Sequence, residues 1–133
     1  MSIPVLTHDV AAAIERAEAN AMIDIMRAAP LFYSEFYIDV DMYRIGSAYA
    51  FIMEEMDSPL FNRVLCLGLD EPTTEAMVDA LFDLYRHTWM LFAVQLSPFA
   101  QPATLHHWLE ARHIRREQRH LWVKLYRGVD RGR

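Results

Sequence analysis

Apolar residues recur at Val10, Ile14, Ala17, Ala21 and Ile25, with Met22 and Met26 alongside. That spacing predicts an amphipathic helix from Val10 to about Ala28, capped by Thr7 or Asp9 and ended by Pro30. The aromatic-rich stretch Leu31 to Tyr43 alternates loosely between Phe36 and Val40, as a strand does. Gly46 then marks a turn, and Ala48, Phe51, Ile52 and Met53 predict a strand running into the acidic turn Glu54 to Pro59. From Phe61 to Gly68 the chain is rich in β-formers without strict alternation, the pattern of a strand buried on both faces. A helical stripe follows at Met77, Leu81, Leu84 and Tyr85, then a second buried strand, Met90 to Leu96. Pro102 opens a last helix with Leu105, Trp108 and Leu109 toward the sheet, and a closing strand, His120 to Tyr126, packs Leu121, Val123 and Leu125.

Strands joined by crossover helices of this length are expected to lie parallel in one sheet, giving an α/β fold. The turn from the first of these strands to its helix, Gly68-Leu69-Asp70-Glu71-Pro72-Thr73, is then where an α/β protein meets an anion. It holds two carboxylates and one glycine, the reverse of what a phosphate loop needs. Asp70, Glu71 and Glu75 are better placed to complement the positive end of the helix dipole.

The 133 residues amount to one domain, 1–133. A hydrophobic fraction of 53% excludes disorder and exceeds what a small two-layer domain hides, which points to a partner surface. No apolar run approaches the roughly 20 residues of a membrane span and no signal-peptide pattern opens the chain, so a soluble cytoplasmic protein is expected. Cys66 is the only cysteine and, in mid-strand, reads as an inert small hydrophobe. Charge is divided unevenly: residues 1–75 carry 13 acids against 4 bases, residues 76–133 carry 5 against 9. The two halves are built to attract each other or to show opposite faces to partners.

Several short segments carry a resemblance: Phe61-Asn62-Arg63-Val64, Leu67-Gly68-Leu69 with Pro72, Leu84-Tyr85-Arg86, Val94-Gln95-Leu96-Ser97-Pro98, and Trp108-Leu109-Glu110-Ala111-Arg112. In this order they resemble the distal half of the GNAT (GCN5-related N-acetyltransferase) fold, and more narrowly the N-terminal half of bacterial tandem-GNAT proteins. The resemblance implies a mixed, mostly antiparallel sheet with helices packed on both faces. It also implies acetyl-CoA binding through a loop of the type Gln/Arg-x-x-Gly-x-Gly/Ala, which this chain lacks, as it lacks the family's last strand. We therefore expect a domain without cofactor, catalytic residue or metal site.

The remaining candidates are weaker. His106, His107, His113 and His120 have neither zinc spacing nor a cysteine pair beside them, and Ser97 before Pro98 is no nucleophile elbow. Arg112, Arg115, Arg116, Arg119, Lys124, Arg127, Arg131 and Arg133, interleaved with Trp122 and Tyr126, form a basic tail. Its acidic parent chain makes a protein partner a better expectation than nucleic acid. The aromatic run Phe32, Tyr33, Phe36, Tyr37, Tyr43, Tyr49 and Phe51 is either core or interface. The expected function is a non-catalytic structural or regulatory subunit that assembles with itself or with a larger catalytic chain. Its interface is expected at Phe32, Tyr33, Phe36, Tyr37, Tyr43, Arg115, Arg119, Trp122 and Tyr126. The alternatives are a small acyl-CoA-dependent N-acyltransferase with a non-standard CoA site and a nucleic-acid-binding module using the basic tail.

Overall fold

The computed structural model describes residues 6–32, 40–54, 58–86, 88 and 91–112. Helix α1 (His8–Phe32) leads into β1 (Val40–Ile45) and β2 (Ala48–Met53). Strand β3 (Arg63–Leu65), helix α2 (Glu75–Arg86), β4 (Ala93–Val94) and helix α3 (Leu105–Ala111) follow. The four strands lie in the order β1-β2-β3-β4. The first three are antiparallel and β3 and β4 are parallel, so the α/β class and the mixed, mostly antiparallel sheet are both present.

Strand β2 organises the layers. Its Ala48, Ala50 and Ile52 pack with Val64, Leu67, Val78, Leu81, Tyr85, Leu105 and Leu109, the α2 and α3 side. Phe51, on the opposite face, packs with Leu65, Cys66, Ala19 and Met22, the α1 side. Helices thus cover both faces. Gly46, with φ +58°, turns β1 into β2 over two residues, and a Cβ there would stand 2.5 Å from Glu71 Oε1.

Several boundaries differ from the sequence reading. Helix α1 begins with Thr7 Oγ1 accepting the Val10 N–H at 3.3 Å and runs past Pro30 to Phe32. A proline this close to a helix end removes one bond without stopping the last turn. Its buried face is Ala12, Glu15, Ala19 and Met22 rather than the Val10-to-Ile25 stripe, and Ile25 is 56% exposed. Small alanines let the helix approach the sheet closely, which the longer side chains of the expected face would prevent. Strand β1 is Val40–Ile45, and the run expected to alternate from Phe36 lies, up to residue 39, outside the described residues.

The Phe61–Gly68 and Met90–Leu96 runs yield strands of only three and two residues. Cys66, with φ +65°, leaves the strand direction, and β4 is half-buried rather than enclosed. In α2 the buried stripe is Val78, Leu81 and Tyr85. Pro102 precedes α3 instead of opening it, behind a cis Gln101–Pro102 bond. The closing strand and the cap at His113 lie outside the described residues.

Two side chains extend the short ladder. Asn62, fully buried, accepts the Met53 N–H at 2.8 Å and donates to Met53 O at 3.2 Å and Ser58 O at 3.1 Å. The Tyr85 hydroxyl donates toward Phe51 O at 2.7 Å, with Arg63 O at 3.3 Å, while its ring stacks on Phe92 at 4.2 Å. Buried carbonyls and amides left unpaired cost about 1–3 kcal/mol each. Asn62→Leu strands the Met53 N–H and C=O together, whereas Ser58 O keeps the Phe61 and Asn62 N–H groups, so we expect it to lower unfolding free energy by about 2 kcal/mol or more in urea titrations. A loss under about 1 kcal/mol would show that the side chain merely fills space.

Candidate functional site

Open α/β sheets bind ligands beyond the carboxyl ends of parallel strands. Here that end lies after Leu65 of β3 and Val94 of β4, and α1 crosses it. The spacing that turns Ala12, Ala19 and Met22 inward also turns in Glu15, which is only 5% exposed. Glu15 Oε2 accepts the Cys66 N–H, at the residue whose positive φ turns the chain out of β3. One turn along, Glu18 pairs with Arg63 at 3.1 Å and accepts from Gln95 Nε2 at 3.2 Å. Arg16 pairs with Asp70. Three polar anchors therefore pin α1 along the parallel pair, with Glu15 and Arg16 at its carboxyl end and Glu18 reaching back to Arg63 at the start of β3.

The turn into α2 is closed from the other side. Gly68 (φ +73°) lies beneath Gln101, whose N–H donates to Gly68 O at 2.8 Å and whose carbonyl accepts the Thr73 N–H at 2.9 Å. A Cβ at position 68 would stand 2.6 Å from Gln101 O, so contact as well as φ demands glycine. Thr74 Oγ1 accepts the Met77 N–H at 3.2 Å, an N-cap that satisfies a first-turn donor internally. Of the carboxylates expected here, Asp70 meets Arg16, Glu71 flanks Gly46, and Glu75 lies 3.7 Å from Arg112, which also donates to Asp79 at 2.7 Å. They tie elements together.

The Cys66 thiol is pushed up to about 12, first by burial and then by the Glu15 carboxylate. Ser97 Oγ accepts the Phe99 N–H at 3.1 Å in a local turn. The His106 and His107 rings lie 3.9 Å apart, tilted by 39°, with His106 Nδ1 2.8 Å from Ala103 O. Among the described residues no group of three His, Cys, Asp or Glu side chains could hold a metal ion, and no helix is long and apolar enough to cross a membrane.

Of the expected interface residues, Tyr43 is on β1 and 43% exposed. Phe32 is the last residue of α1. Tyr33, Phe36, Tyr37, Arg115, Arg119, Trp122 and Tyr126 lie outside the described residues. Phe51 is core and Tyr49 is half-buried, stacked on Phe51 with the Arg44 guanidinium 3.8 Å over its ring. Tyr43 also lines a groove of about 460 Å³ between β1 and α2, with Asp41, Glu54 and Asp83 at its rim and Ile52 and Leu84 at its base. The sequence reading missed Glu15, Glu18, Asn62, Gln95 and Gln101. One signal was available: Glu15 is an acid four residues before Ala19 and three after Ala12, inside a stripe of small apolar positions.

Comparison of the chain with protein families, curated proteins and solved structures finds no match.

Two outcomes test this geometry. Glu15→Ala leaves the buried Cys66 amide without this acceptor and should cost about 1–3 kcal/mol of unfolding free energy; an unchanged urea midpoint would show that the contact carries no weight. The Cys66 proton is held more tightly in the folded chain than at its ordinary value of 9.0. Its stabilisation is therefore complete below pH 9.0 and is lost as pH rises toward 12. Tyr85, also pushed up by burial, adds a fall above its ordinary 10.0. The wild type should accordingly lose stability faster than Cys66→Ala across that window, and parallel curves would contradict the assignment.

Proposed function

We propose that this chain is a non-catalytic, GNAT-like structural or regulatory subunit that assembles with itself or with a larger catalytic chain. The observation that carries the reading is the closed mouth of the β3–β4 pair. Glu15 takes the Cys66 N–H, Glu18 bridges Arg63 and Gln95, and the Gln101 backbone roofs Gly68. An acyl group or pyrophosphate entering there would have to displace α1 anchors and face Asp70 and Glu71. Like charges a few ångströms apart cost on the order of 1 kcal/mol each even at high dielectric. The exposed apolar side chains Ile25, Met42, Tyr43, Leu60 and Leu91 support an assembly role, since they leave area for a partner.

Calorimetric titration with acetyl-CoA is expected to give no saturable heat. A dissociation constant of micromolar order, the range of working substrate sites, would overturn the proposal in favour of the acyltransferase. Affinity purification from the native host is expected to bring down a stoichiometric protein partner or a second copy of the chain.

A further inference from the structure

We infer that the outer edge of β1 is a two-fold interface with a second copy of this chain, which joins the two sheets into one. The inference rests on the assembly reading above and names its surface and its partner. Strand β1 ends the described sheet, and alternate N–H and C=O groups along its six residues point away from β2. Edges of this kind are what natural proteins pair or cover.

The sequence of this edge suits its own copy. A two-fold axis normal to the sheet keeps each face on its own side, so paired residues must come from the same face. Centred on Met42, the antiparallel register sets Met42 against Met42 of the second copy, Asp41 against Tyr43, and Val40 against Arg44. No like charges fall directly opposite, and the Asp41 carboxylate meets a tyrosine hydroxyl rather than another acid. The register works whichever set of alternate backbone groups points outward, since both sets are symmetric about residue 42.

The side chains beside the edge agree. On the α1 face, Met42 is 38% exposed and borders a groove of about 190 Å³ with Ile23, Met26 and Arg27. Joining two copies at Met42 brings the two grooves together on one face beside the axis. The acid-rimmed groove on the α2 face lies beside Tyr43 and stays outside the apolar contact.

The full-length chain should run as a dimer by light scattering at micromolar concentration. Met42→Asp puts two carboxylates opposite each other at the axis and should raise the dimer dissociation constant by about tenfold or more. Met42→Cys should give an intermolecular disulfide on oxidation, because paired Cα atoms about 4.5–5.5 Å apart suit one. Leu60→Cys, at an exposed site off the edge, should not. A monomer throughout, or a dimer that Met42→Asp leaves intact and Met42→Cys does not cross-link, would overturn the inference. A monomer that co-purifies with another protein would do so while leaving the subunit reading in place. A dimer that turns over acetyl-CoA would remove the subunit reading and keep the interface.

Discussion

Strand β2 has no polar face. Ala48, Ala50 and Ile52 are buried on one side and Phe51 on the other, and a strand so made is stable only between two layers. The requirement sets the positions of α1 on one face and α2 with α3 on the other. It also explains why β3, beside it, can be short. With β2 enclosed, Asn62 and Tyr85 supply from side chains the hydrogen bonds that a three-residue β3 cannot make from its backbone. Removing those bonds would expose the ladder where the sheet is narrowest.

The covering of β2 also determines what the sheet can bind. Helix α1 reaches Phe51 and Leu65 through Ala19 and Met22, and that approach carries Glu15 to the Cys66 amide past the end of β3 and Glu18 to Arg63 and Gln95. Cys66 turns out of the strand there with positive φ, and its amide is met by the chain's own carboxylate. Packing and chemistry are therefore the same event. The helix that completes the second layer also fills the position where an open α/β sheet receives a ligand.

The element order, the parallel crossover and the Gly46 and Gly68 turns were legible in the sequence because periodicity and glycine report local backbone demands. The carboxylates at the α2 start were legible as carboxylates. Their partners were not. Arg16 is 54 residues from Asp70, Glu15 is 51 from Cys66 and Glu18 is 77 from Gln95. Nothing local marks such pairs, because they arise only when helix and sheet are docked.

By itself, then, the amino-acid order determined an α/β chain with one cysteine, an acidic first part and a phosphate-poor turn at Gly68. Those properties follow from composition and from interactions along the backbone within a few residues. The tertiary structure alone decided which face of α1 is buried, where β1 begins, how Cys66 leaves its strand, and that the mouth of the parallel pair is closed from within. Each of these depends on how closely two elements approach, and that distance is set by the small residues at the contact, Ala12 and Ala19 on the helix and Gly68 in the turn. Amphipathic periodicity weighs a residue by its own polarity, whereas docking also weighs its size, and for α1 size prevailed.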